Sequence, residues 1–241
     1  MTGAEATTTG PASAAGVFGR LARIPGWRTM LALLDQAVVS ASSFAIVLLV
    51  GRYAGPEELG AWALAASLLA LAAAAQDALV TRPYTIVRPR AGHAARRASA
   101  GALSASLALS ALLAAFVLIA AAGTPLVGGA GATAALLVAL AVAIPAYLLR
   151  DFARRHAFAA LEVERAFAVD AGSAALLVGA GLALAATGTL SASAALLAVA
   201  AATGAAGLAW LWRTRAAFAV SRRGGWRARG RQLARYWRLG R

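Results

Sequence analysis

Four polar side chains, Asp35, Gln36, Gln76 and Asp77, fall within or at the edge of long apolar runs. A charged group in such a run needs a partner or a polar cavity, because at mid-bilayer it costs about 2.5–3.5 kcal/mol on insertion scales. Two readings are open. Asp35 and Asp77, at similar depth in two successive antiparallel spans, form the polar floor of a central cavity and a site for a cation or a proton. Or they are interfacial carboxylates paired with Arg28, Arg82 or Arg88. Arg82 and Arg150 close the second and fourth apolar runs. A guanidinium offers phosphate a planar, bidentate fork; the other reading of both arginines is membrane anchoring.

Other chemistries are poorly served. The chain has no Cys, which removes disulfides, thiolate catalysis and Cys-based metal sites. His93 and His156 lie far apart in basic segments and form no ligand cluster. Gly128-Gly129-Ala130-Gly131 lacks the preceding strand and following Lys-Ser/Thr of a nucleotide loop. No Ser/His/Asp grouping or catalytic carboxylate pair is legible, so nothing argues for an enzyme or a cofactor.

The elements that position these residues are membrane spans. The chain is 61% hydrophobic, against roughly 45–50% in soluble domains, and its mean hydropathy is +0.73. Six apolar stretches, at about 30–51, 58–81, 99–122, 133–149, 168–187 and 192–212, each approach the roughly 20 residues that a bilayer requires. They are rich in Ala, Gly and Ser, which let helices approach closely. A small polar segment, 1–29, precedes them, with an interfacial stretch at 17–28. Residues 150–167 are expected to be partly helical at the membrane surface. A basic tail, 213–241, follows the last span.

All 23 basic residues are Arg. With the N-terminus inside, the seven successive non-membrane segments carry 3, 1, 5, 0, 4, 0 and 10 of them, so 22 lie on the cytoplasmic side and Arg52 alone lies outside. Lys/Arg enrichment in cytoplasmic loops orients inserted helices, and the expected topology is N-in, C-in. The net charge of +14 then faces anionic lipid headgroups rather than nucleic acid. On a helical wheel the tail places Trp226, Leu233, Tyr236 and Trp237 opposite Arg227, Arg231, Arg235 and Arg238, as in a helix lying on a membrane surface.

The most specific motif is the first hairpin. Leu34-Asp35-Gln36-Ala37 opens the first span, and Arg52-Tyr53-Ala54-Gly55-Pro56-Glu57-Glu58-Leu59-Gly60-Ala61-Trp62-Ala63-Leu64 crosses the turn. Gly55-Pro56 makes the turn, Pro56 suits the first helical position, and Glu57 and Glu58 favour a helix N-terminus. This segment resembles the hairpin of oligosaccharide flippases, the polysaccharide-export members of the multidrug/oligosaccharidyl-lipid/polysaccharide exporter superfamily. Leu79-Val80-Thr81-Arg82-Pro83-Tyr84 is similar to the polar-plus-Pro ending of that family's second span, with Arg82 where the family often carries an acid. Tyr236-Trp237-Arg238-Leu239-Gly240-Arg241 looks like the lead into its seventh span.

The resemblance implies an all-α polytopic bundle equivalent to one lobe of a two-lobe flippase in a bacterial inner membrane. The implied function is transfer of a lipid-linked oligosaccharide by alternating access during polysaccharide biosynthesis. Cavity arginines would hold the pyrophosphate, and a second lobe would come from a homodimer or a separate chain. Gln36, Ser40, Ser43, Gln76 and Asp77 are then expected on one polar face. The alternatives are a non-transporting scaffold of a polysaccharide-assembly complex and an inactive flippase fragment.

Overall fold

The computed structural model describes residues 26–88, 95–127 and 131–218. Most of the interfacial stretch 17–28, Arg90 of the basic loop, Gly128–Ala130 and the amphipathic tail lie outside the described residues. Six helices follow one another: α1 Trp27–Tyr53, α2 Pro56–Val87, α3 Ala95–Gly123, α4 Gly131–Ala159, α5 Val163–Ala186 and α6 Ala192–Phe218. All six are long and apolar enough to cross a membrane. The chain is thus all-helical among its described residues and built as a multi-pass membrane protein.

The outward and inward faces invert the pattern of a water-soluble protein. Phe44, Leu64, Leu112, Phe116 and Ile119 point outward, with Phe116 70% exposed and Ile119 72%. In water such a surface would be a large aggregation-prone patch; in lipid it is the solvated face. The interior instead uses small side chains, among them Ala139, Ala143 and Ala153 of α4 and Ala192, Ala195 and Ala202 of α6. Apolar burial drives little association between helices in lipid, so close van der Waals packing takes its place. A Cβ at Gly207 would come within 3.0 Å of Leu149 Cγ and 3.2 Å of the Arg150 backbone nitrogen, so glycine sets the closest approach of α6 to α4.

The α4 helix is the hub. It packs against α2, α3, α5 and α6 and reaches α1 through an Arg154–Asp35 ion pair. The pairs α1–α5 and α5–α6 complete the ring, whereas α1 and α2 touch lightly beyond their shared turn. At that turn Gly55 adopts φ 93°, ψ 173°, a region open essentially to glycine alone. Pro56 then starts α2. Glu58 does more than favour its own helix: its Oε2 accepts the Ala192 N–H at 2.6 Å, so it caps the start of α6. At the end of α5, Gly188 (φ 68°) closes the helix, with Thr189 N–H bonded to Leu184 O and Gly188 N–H to Ala185 O, the Schellman arrangement. The α4–α5 turn uses the same bonds around Leu161, at φ 60°, where a side chain is costly.

Three helices run well past their expected ends, the sixth by continuing from 212 to Phe218. The second continues from Thr81 to Val87 through a π-helical turn, Asp77–Thr81, in which the Arg82 N–H bonds back to Asp77 O. Pro83, expected to mark the end of the span, instead sits inside a continuous helix. Its ring cannot tolerate a regular preceding turn, and the widened turn accommodates it. The fourth helix runs to Ala159, so residues 150–159 are helical and packed inside the bundle rather than set apart from it. Phe152, Ala153 and Ala157 are buried, and Phe152 packs with Tyr84 and Trp210, ring centroids 5.7 and 6.0 Å apart.

Candidate functional site

The extension of α4 carries Arg150, Asp151, Arg154 and Arg155. At 3.6 residues per turn, Arg150 and Arg154 share one face and Asp151 and Arg155 the neighbouring one. The first face meets α1 and α5. Arg150 Nη2 lies 2.6 Å from Asp170 Oδ1, Arg154 Nε 2.7 Å from Asp170 Oδ2, and Arg154 Nη2 2.9 Å from Asp35 Oδ2. Two aspartates with fully buried side chains thus converge on one guanidinium, and the quartet is formally neutral. The second face meets α2. Arg155 Nη1 lies 3.1 Å from Asp77 Oδ1 and its Nε 3.7 Å from Asp151 Oδ2. Asp77 also takes Arg82 Nε at 2.6 Å and the Thr81 hydroxyl at 2.9 Å.

Depth follows from helix geometry. Asp35 and Asp170 stand eight and seven residues from the starts of α1 and α5, about 10–12 Å along the axis at 1.5 Å per residue. Arg154 is five residues from the end of α4, about 8 Å. All lie towards one end of the bundle. Among the described arginines, Arg52 alone sits at the other end. Asp35, Asp170 and Arg150 thus lie between the ends and the middles of their helices, where an unpaired charge would be costly, and pairing offsets part of that cost.

The expected site residues separate into several settings. Asp35 and Arg150 join the neutral quartet. The partner of Asp35 is Arg154 of α4 rather than Arg28. Asp77 and Arg82 pair as one of the two readings had it, with Arg155 added, and Arg82 remains 76% exposed. Arg88 turns instead to Ala159 O at 2.6 Å. Arg150 is only 8% exposed and committed to Asp170, so it orients an acid rather than offering a free fork to phosphate. Gln76 is fully buried between helices, donating to Leu148 O at 3.0 Å and accepting from the Ser106 hydroxyl at 2.8 Å. Gln36, Ser40 and Ser43 lie on the exposed face of α1. Gln36 Oε1 is 3.4 Å from Arg154 Nη2, its amide is 3.5 Å from Ser40 Oγ, and Ser43 bonds to its own helix at Val39 O.

Asp170, Arg154 and Arg155 were not singled out from the sequence, nor was the pairing of Asp151 with Arg155. A signal existed. Asp170 is a lone acid in an apolar run, which in lipid demands a cation, and Arg150/Arg154 supply two at i,i+4 spacing. A second polar cluster was also missed: the Tyr84 hydroxyl lies 2.7 Å from His156 Nδ1 and 3.0 Å from Ser99 Oγ, with His156 stacked on Phe152 and edge-on to Trp210.

The arrangement has a sealed side and an open side. The quartet side is buried. On the open side, polar side chains follow one another from Ser40 and Gln36 on α1, through Arg154 (20% exposed) and Arg155 (40%) on α4, to Asp77 (14%) and Arg82 on α2. No group of three His, Asp or Glu side chains among the described residues is placed to hold a metal. Comparison of the chain with models of known families, with curated proteins and with solved structures finds no match.

Proposed function

We propose that this chain is one lobe of a flippase that moves a lipid-linked oligosaccharide across a bacterial inner membrane during polysaccharide biosynthesis. The observation that carries the reading is the run of partly exposed polar side chains on α1, α4 and α2. It gathers Gln36, Ser40, Asp77 and three arginines at one end of an otherwise lipid-facing bundle. Polar and ionisable groups at membrane depth face a cavity or a partner and mark substrate paths. The hairpin Arg52–Leu64, with its family resemblance, supports the same reading.

In this proposal the network lies at the cytoplasmic end, and a second lobe covers the polar surface. Arg82, Arg154 and Arg155 would meet the anionic pyrophosphate. Asp35 and Asp77 hold these guanidinium groups while the site is empty, and the substrate competes for them. Arg150 and Asp170 position Arg154 from behind. Rocking of the two lobes about the site supplies alternating access. The test is rescue of polysaccharide export in a flippase-deficient strain supplied with this chain and a second-lobe protein. Rescue by the parent chain and its loss in Arg82→Gln/Arg155→Gln, at equal membrane abundance, is the expected outcome. Absence of rescue by the parent with the second lobe present would overturn the reading in favour of a scaffold or an inactive fragment.

A further inference from the structure

On the side of α5 and α6 away from the charge network, the two helices line a groove of about 490 Å³. Its walls are Val169, Gly172, Leu176, Ala205 and Trp210, and Arg165 and Arg213 stand at its mouth. We propose that this groove holds one acyl chain of an anionic phospholipid, with the lipid phosphate between Arg165 and Arg213.

Three observations carry the assignment. The groove opens on the lipid-facing surface, and its apolar walls give water too few polar partners to occupy it. Its length suits one leaflet: Arg165 to Leu176 is eleven residues, about 16 Å of helix, against about 15 Å for half of a hydrocarbon core. Its arginine end carries a net positive charge. The Arg213 side chain makes no ion pair or hydrogen bond among the described residues, and Arg165 holds only the surface pair with Glu162 at 2.7 Å, itself 66% exposed. Arginine is the residue suited to a phosphate diester at this level. Residues 219–241 carry arginines and no acid, so charge disfavours that tail as the occupant.

Gly172 provides the test, because a Cβ there meets no atom within 4 Å. Gly172→Phe fills the groove without touching a charge. Native mass spectrometry of the full chain in detergent, titrated with phosphatidylglycerol or phosphatidylcholine, reads the bound lipid. The parent should retain one phosphatidylglycerol selectively. Arg165→Gln/Arg213→Gln should weaken that binding about 30-fold, towards the phosphatidylcholine level. Gly172→Phe should abolish it for both lipids, and Gly172→Ala should leave it intact, each with parental helicity by circular dichroism. If Gly172→Phe lost its helicity, Leu176→Trp would fill the same groove from its deep end and should give the same loss. Equal retention of the two lipids by the parent would overturn the proposal. So would phosphatidylglycerol binding that survives groove filling, which would place the lipid on the basic tail or the general surface. Addition of inorganic phosphate should displace nothing; displacement would show a headgroup-only site and refute the acyl groove.

Discussion

Replacing Arg154 by Gln removes the one cation shared by Asp35 and Asp170. Asp170 keeps Arg150 at 2.6 Å, but Asp35, with no exposed side-chain surface, loses its ion-pair partner. Breaking one side of a buried pair costs about 3–5 kcal/mol. Arg154 is one-fifth exposed and five residues from the end of α4, so the lower figure applies. About 3 kcal/mol is roughly a hundredfold in the folded-to-unfolded ratio. Asp35→Asn/Arg154→Gln removes both charges and leaves the Arg150–Asp170 pair whole, so it should be less destabilising than Arg154→Gln alone. The assay is reversible unfolding in mixed micelles, titrated with dodecyl sulfate and followed by helicity, for the parent, both single variants and the double. The cycle should return a coupling of about 2 kcal/mol. A loss below about 1 kcal/mol for Arg154→Gln, or strict additivity in the double variant, would refute the network as the tie between α1, α4 and α5.

Three further outcomes follow from the packing and the charge pattern. Gly207→Ala drives a methyl group against Leu149 and the α4 backbone and should cost about 1–3 kcal/mol in the same unfolding assay, whereas Gly60→Ala, with no atom within 4 Å, should be neutral or gain up to about 1 kcal/mol. Leu161→Gly relieves a left-handed residue at the α4–α5 turn and should stabilise by about 1 kcal/mol; destabilisation would mean that the exposed Leu161 side chain makes a contact outweighing the backbone strain. Reporter fusions after Gly128 and Ser191 should read periplasmic and after Arg241 cytoplasmic, as the arginine distribution requires; a cytoplasmic signal at Gly128 would invalidate the topology.

The fold was legible where the physics is local. Runs of apolar residues show six spans because the lipid core sets a minimum helix length, and Gly55-Pro56 shows the first turn because only glycine takes that backbone conformation. The ends of α2 and α4 were not legible. Pro83 and the cluster Arg150–Arg155 look like helix breakers and solvated charges. Their tolerance depends on a π-helical turn and on Asp35, Asp77 and Asp170, which are brought together from other helices. Hydrogen bonds such as Arg154 to Asp35 join residues more than a hundred positions apart, and no periodicity encodes that. The site was legible in its membership on α1 and α2, through polar residues in apolar runs. Its centre on α4 was hidden, because arginines near a span end have a sufficient explanation in anchoring.

In the proposed assembly the polar side chains of α1, α4 and α2 face a second lobe. Because the chain has no Cys, a single Ser40→Cys substitution on the exposed face of α1 reports its neighbour directly. Oxidative cross-linking in native membranes should trap this position against another copy of the chain or a co-expressed second-lobe protein. Leu112→Cys, on the outward face of α3, should give no product. A Ser40→Cys chain that stays monomeric under the same conditions, with the second-lobe protein present, would rule out a second lobe at this face.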